Sequence, residues 1–195
     1  MDAMRSLPGW HLLGAFPDNE PDDVGSWLLH ANGEALLLEI PPHLSKYDVG
    51  QGLDSTHCKL RFVTASHEHE DHFNEYAWNA LKSTWPKATF MRPKSGVMED
   101  RLLDLGGEPV WLLRAPKHSP SDTVIVFRGV AMTGDIELGT LDSVNREVSR
   151  KVKAASMEYL RGFQDRTGYH VHTIVSAHLN DFRQGVHWAS LFQVG

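Results

Sequence analysis

The chain has 195 residues, 41% of them hydrophobic and 23% charged, with a formal net charge of −6 and a single cysteine. That size and balance suit one folded unit with its own core and exclude a chain disordered throughout. An acidic total without a basic run argues against a nucleic-acid partner, and one cysteine excludes an intrachain disulfide.

Residues 1–25 mix Gly, Pro and acids and read as a leader with one short strand. Their hydrophobic run is broken by His11 and Gly14, so no secretory signal is expected. No stretch approaches the ~18 apolar residues of a membrane span, and a cytoplasmic protein with no membrane partner is the expectation. Residues 26–40, SWLLHANGEALLLEI, read as a hairpin turning at Ala-Asn-Gly and closed by Pro41-Pro42. Residues 43–58 show little periodicity and are expected to be a loop with at most a short helical turn.

KLRFVTAS (59–66) is a strand candidate that ends at His67. FNEYAWNALKSTW (73–85) has helical spacing, with Tyr76, Ala77, Ala80 and Leu81 on one face and Pro86 as the stop. KATFMR suggests a strand, GVMEDRLLDLG a short helix ending at Gly106, and EPVWLLRAP a strand leading toward His118. DTVIVFRGVAMTGDI (122–136) reads as a second hairpin turning near Arg128-Gly129. A long helix is expected from about Asp142 to Asp165, with an Asp-Ser start and Val148, Val152, Ala155, Met157 and Leu160 on its face. YHVHTIVS (169–176) is a strand feeding His178. Alternating strands and helices point to a layered α/β or α+β fold.

The chemistry concentrates in residues 67–72, H-E-H-E-D-H. Three imidazoles and three carboxylates in six positions repel and desolvate one another unless cations join them, and these are the side chains that ligate zinc, iron and manganese. Alternate residues of a loop leaving a strand point inward, so His67 and His69 can address one ion and Asp71 and His72 a second. Neither pair completes a site, but three other strand ends supply His118, Asp135 and His178. Glu68 and Glu70 alternate with these residues and should point away from the metals, either solvated or supporting a ligand from behind.

H-E-H-E-D-H followed in order by PKHSPSDT, TGDI and SAHLND resembles the metallo-β-lactamase-fold hydrolases. The spacing is similar to theirs as well: 46 residues from His72 to His118, 17 to Asp135 and 43 to His178. The resemblance runs from the Ser26 hairpin to His178. It implies a four-layer αβ/βα sandwich of two mixed β-sheets flanked by helices, filling residues 1–195 as one metallo-β-lactamase-like domain. It also implies a dinuclear site in which His67, His69 and His118 hold one metal, Asp71, His72 and His178 hold the other, and Asp135 bridges. Two divalent ions are expected, zinc first, with iron or manganese as alternatives. Asp71 would also orient the nucleophilic water as the catalytic carboxylate.

The motifs depart from the family pattern in places. Lys117 stands where Gly often precedes the third histidine, Glu39-Ile40-Pro41 replaces Asp-x-Gly, and SAHLND lacks Pro-Gly-His. These departures leave the subfamily open. The implied activity is metal-dependent hydrolysis of a small ester, thioester or lactone. An iron-dependent persulfide dioxygenase and a phosphodiesterase of the same fold are the alternatives. Only 17 residues follow His178, too few for the glutathione-binding helical domain of glyoxalase II. The partner is a small-molecule substrate, and a homodimer stays open beside a monomer.

Among other residues, Lys117 reads as an exposed loop lysine that could also meet an anionic substrate group. Asp181 is either an orienter of a ligand imidazole or a surface residue. His170 and His172 read as structural or pocket-lining, with the ligand set already full. Tyr47 and His187-Trp188 are weaker candidates for lining a substrate pocket, and Cys58 reads as a packed thiol.

Overall fold

The computed structural model describes residues 4, 6–17, 23–142 and 146–193. Strands β1 (Trp10–Phe16), β2 (Val24–Ala31), β3 (Glu34–Leu38), β4 (Lys59–Thr64) and β5 (Thr89–Phe90) form one sheet in that order. β1 to β3 are antiparallel, whereas β3, β4 and β5 run parallel, so the sheet is mixed. The second sheet is ordered β11-β10-β9-β8-β7-β6, from β6 (Glu99–Leu105), β7 (Glu108–Arg114), β8 (Thr123–Phe127), β9 (Val130–Met132), β10 (Thr173–Val175) and β11 (Phe182–Gln184). Only its β9–β10 pair is parallel.

Side-chain alternation makes the layers. In β2, Leu29 enters the core between the sheets while Leu28 faces outward under helices, and Leu36, Leu37 and Leu38 of β3 divide the same way. Ile125 and Phe127 of β8 point inward and Val124 and Val126 outward. The central layer joins Trp10, Trp27 and Leu38 of one sheet to Leu112, Phe127 and Met132 of the other. Helices α1 (Lys46–Thr56) and α2 (Glu75–Thr84) cover the first sheet. Helices α3 (Arg150–Arg161), α4 (Phe163–Thr167) and α5 (Trp188–Leu191) cover the second. The result is the expected four-layer αβ/βα sandwich. Truncating one of these fully buried leucines to alanine costs about 2–5 kcal/mol.

Both hairpins form where expected, and each turns on two residues of positive φ, Asn32-Gly33 and Arg128-Gly129. Several expectations fail. Residues 43–58 hold an eleven-residue helix, α1, started by a capping box between Ser45 and Asp48. Gly50 and Gly52 mask it in the sequence, each costing up to about 1 kcal/mol in a helix interior. Gly52 is needed because a Cβ there would lie 2.2 Å from Leu13 Cδ2, so the helix sits tight on β1.

Residues 99–105 are strand β6 rather than a helix. Leu103 and Leu105 alternate inward, and Gly106-Gly107 turns the chain back to pair it with β7 along its whole length; this long-range partner overrides local helical spacing. The long helix is shorter than expected and broken. Ser149 caps α3, Gly162 separates it from α4, and Ser143 of the expected start lies outside the described residues. Its buried face is Lys153, Ser156, Met157 and Leu160, while Val152 and Ala155 are exposed. On α2, likewise, Ala77, Trp78 and Leu81 are buried and Tyr76 and Ala80 exposed. The strand expected over 169–176 contracts to Thr173–Val175, with His170 and His172 before it. Among the described residues no helix is long and apolar enough to cross a membrane.

Candidate metal centre

β4 ends at Thr64 and leads into the 65–73 loop, which its neighbours hold rigidly. Ile40 N donates to the His72 carbonyl (2.8 Å), Asn74 N to the Ile40 carbonyl (2.8 Å) and Thr123 N to the Ser66 carbonyl (2.8 Å). His72 N and Phe73 N both donate to His69 O, closing the loop into a tight turn. Gly134, at φ 58°, lets the 133–136 loop approach, since a Cβ there would meet Ser66 at 3.0 Å. Ala177 N donates to Gly134 O, tying the His178 segment to the Asp135 segment.

These restraints bring all seven residues singled out in the sequence to one place. His67 Nε2 and His118 Nε2 lie 3.1 and 3.2 Å from His69 Nδ1. Asp71 Oδ2 is 3.0 Å from His72 Nε2 and 3.6 Å from His178 Nε2. Asp135 Oδ2 stands between the two clusters, 3.3 and 3.4 Å from His72 and His178, and 3.8 and 3.7 Å from His67 and His118. The side chains form two groups able to hold an ion each: His67, His69, His118, and Asp71, His72, Asp135, His178.

The donor atoms fit cations better than they fit one another. Three nitrogens bound to a tetrahedral zinc at about 2.0–2.1 Å would stand roughly 3.3–3.4 Å apart, close to the spacing of the first group. His67 Nδ1 is engaged by Ser66 Oγ at 3.0 Å, which leaves Nε2 to ligate. Both ring nitrogens of His72 and Asp135 Oδ1 are buried without a hydrogen bond, and ligation of an ion would give His72 Nε2 and the Asp135 carboxylate a partner.

Charge is finely divided here. Burial, with His72 nearby, holds the His67 imidazole well below the ordinary histidine value, so it is neutral and ready to ligate. Burial also disfavours charge on His72, but the carboxylates of Asp135, Asp71 and Glu39 outweigh it and hold His72 well above that value. Burial likewise works against ionised Asp135, yet His178 and His72 keep its carboxyl far below the usual carboxylate range.

Supporting residues escaped the sequence reading. Glu39, fully buried at φ 66°, accepts from Ser66 N at 3.3 Å and places Oε2 3.4 Å from His72 Nδ1. Asp122 Oδ2 accepts from the backbone N–H groups of Lys117 (2.9 Å), His118 (2.5 Å) and Ser119 (3.0 Å), which fixes the loop bearing His118. Ser121 Oγ accepts from Glu68 N and joins that loop to the 65–73 loop. From α3, Ser156 Oγ donates to Pro116 O at 2.7 Å. The available signal was Ser-Pro-Ser-Asp after His118, a composition that captures nearby backbone N–H groups.

The other candidates lie outside the two ligand groups. Lys117 is fully buried, not exposed, and its Nζ donates to Glu137 Oε2 at 2.9 Å. Asp181 pairs its carboxylate with Arg183 and lines the cleft that opens on the centre. His170 contacts Gln164 and His172 contacts Thr173. Trp188 is a core residue donating to Leu160 O, and Tyr47 projects into solvent from α1, so neither lines the centre. Glu68 and Glu70 are exposed, which favours the solvated role over one behind a ligand. A cleft of about 320 Å³ opens on the centre, walled by His118, Asp135, Glu137, His178 and Asn180.

No protein-family model matches the sequence, and no curated protein matches it either. Solved structures do match. A metallo-β-lactamase family protein from Thermus thermophilus superposes with a TM-score of 0.61 at 16% identity, over 94% of this chain and 77% of that one. The B3 metallo-β-lactamase BLEG-1 gives 0.61 at 15% identity, over 90% and 93%. The chemotaxis sensor ODP, in a peroxy diiron state, gives 0.60 at 15% identity, over 90% and 84%. At these identities the likeness speaks for the fold. With two mixed sheets, flanking helices and two potential metal sites at one edge, the chain is a metallo-β-lactamase-fold protein.

Proposed function

We propose that the protein is a dinuclear metal-dependent hydrolase of a small ester, thioester or lactone. The observation that carries this reading is the position of Asp135, one carboxylate oxygen within 3.8 Å of nitrogens from four histidines drawn from both groups. Such an oxygen is suited to bridging. His67, His69 and His118 would hold one ion, and Asp71, His72 and His178 the other. Two divalent ions, zinc in the first instance, would supply a nucleophile at neutral pH by lowering the pKa of shared water, and would polarise the substrate's carbonyl oxygen.

The chain's own residues do the rest. Asp71, only partly buried, offers a second carboxylate oxygen that can accept a proton or orient the attacking water. Ser66 engages His67 Nδ1, and the Glu39 carboxylate faces His72 Nδ1 at 3.4 Å, so in each ring Nε2 is the nitrogen turned to the ion. The cleft beside His118 and His178 admits the substrate. Neither a serine nor a cysteine nucleophile is required. The single cysteine fits a cytoplasmic, reducing setting.

The test is metal content by elemental mass spectrometry on protein purified without chelator, followed by an ester, thioester, lactone and phosphodiester panel. Close to two zinc ions per chain and hydrolysis abolished by Asp71→Asn support the proposal. Metal-replete protein that hydrolyses nothing on the panel overturns it. A redox reading is supported by the flavodiiron protein of Giardia intestinalis and the diiron sensor among the similar structures. Iron content with oxygen consumption would favour that reading. A persulfide dioxygenase using one iron would leave Asp71, His72 and His178 without a role.

A further inference from the structure

The core between the sheets does not stay apolar to its end. Inward positions of β6, read from the hairpin turn, run Leu105, Leu103, Arg101, Glu99; those of β7 run Val110, Leu112, Arg114. Leucines therefore give way to guanidiniums where the sandwich opens between β5 and β6. Arg92 and Lys94, just past β5, line the same opening.

The space they enclose is about 50 Å³. That is room for about three or four waters, or for one tetrahedral oxyanion. Four cations line it against one carboxylate, Glu99. Arg114 pairs with Glu99 at 3.0 Å, and Arg92 with Glu75 at 2.9 Å. The side chains of Arg101 and Lys94 are exposed and have no hydrogen bond or ion pair among the described residues. Two of the four cations are thus matched by carboxylates, and the exposed Lys94 and Arg101 leave an excess of positive charge that an anion would offset. The backbone of Gly96 lies beside the Arg114 guanidinium, where a Cβ would come within 2.8 Å of Nη1.

We propose that this opening binds a small oxyanion of the phosphate class, as a free anion or as the charged group of a substrate. Arginine forks match such oxygens two at a time, and the unpaired Lys94 and Arg101 would serve as principal donors. The pocket adjoins the metal loop. Ala65, two residues before His67, lines it, and the Arg92 guanidinium lies 4.7 Å from the ring of Phe73, which follows His72. A local patch of this kind is compatible with the net charge of −6, because the four cations are scattered over positions 92 to 114.

Titration of inorganic phosphate into the metal-loaded protein, followed by calorimetry, tests the site. Saturable binding is expected, weakened about tenfold or more by Lys94→Gln with Arg101→Gln, since each replacement removes a charged donor. Glu99→Gln, which removes the one carboxylate, should tighten binding. An absence of saturable binding up to about 10 mM phosphate, or equal affinity in the folded double variant, overturns the proposal. If the double variant does not fold, Glu99→Gln decides alone: unchanged or weaker binding overturns the site. Kinetics separate the two sources. Phosphate that raises KM for an anionic ester and not for a neutral one identifies a substrate subsite, whereas bound phosphate with no effect on either KM identifies a free-anion site. Only this kinetic arm rests on the proposed hydrolase activity; phosphate binding itself does not.

Discussion

Glu39 Oε2 lies 3.4 Å from His72 Nδ1, and both side chains are completely buried. A carboxylate behind a ligating imidazole fixes the ring and makes its far nitrogen a better donor. Glu39→Ala would remove the carboxylate facing His72 Nδ1 and leave the Ser66 N–H without its acceptor in the interior. Loss of the second ion is expected, with metal affinity there falling about 10- to 100-fold while the His67 group keeps its own. Competitive chelator titration with elemental analysis reads this directly. Two tightly held ions in Glu39→Ala would mean that the contact has no bearing on the metal.

Metal-free protein should be most stable near pH ~6.5, the ordinary histidine value. His67 stays neutral in the native state, so below that pH the unfolded chain gains a proton the native state refuses, and stability falls as pH drops. His72 is the reverse: its stabilising charge is fully present below about 6.5 and is lost as pH rises through its raised native value. Metal requires neutral imidazole, so loading at about pH 7 should release protons and remove the alkaline decline. Thermal melting across pH with and without chelator, plus proton release in weak buffer, checks both. A metal-free midpoint that climbs steadily through about pH 8 contradicts the assignment.

Asp122 accepts from three successive backbone N–H groups and from Ser119 Oγ (2.7 Å). Asp122→Ala strands these donors in a buried loop, at about 1–3 kcal/mol for each one left unsatisfied. A loss of roughly 3 kcal/mol or more in urea unfolding is expected, together with weaker binding at the His118 group. Unfolding unchanged from wild type would show that the loop holds itself.

The Lys117–Glu137 pair should behave asymmetrically. Lys117→Met keeps most of the buried stem and removes the ammonium, so stability should change by less than about 1 kcal/mol or increase. Glu137→Ala leaves the ammonium unpaired. The expected cost is on the order of 1–3 kcal/mol, less than for a fully buried pair because the Glu137 side chain is 36% exposed. Denaturant unfolding of both variants compares them, and a Lys117→Met change costing more than Glu137→Ala would contradict the argument.

The seven potential ligands were legible in the sequence because their chemistry is local: crowded imidazoles and carboxylates are the side chains able to hold a cation, and each segment that carries them follows a strand whose alternation is plain. The resemblance supplied their division into two sets joined by Asp135; in space they fall into His67, His69, His118 and Asp71, His72, Asp135, His178. The hairpins at Asn32-Gly33 and Arg128-Gly129 were legible for the same reason, since their turns need residues tolerant of positive φ. Helix α1 was hidden by Gly50 and Gly52, and strand β6 by a helical spacing that only its partner β7 overrules. Which polar residues stand behind the ligands was decided by tertiary structure alone. Glu39 reaches His72 across 33 positions, and Asp122 acts through backbone N–H groups that carry no side-chain signature. The same holds for the cationic opening, where Arg92, Lys94, Arg101 and Arg114 come together only because the two sheets stack and their inner faces share one end. Chemistry written in neighbouring residues can be read from the chain; a site assembled by sheet packing exists only once distant strands have met.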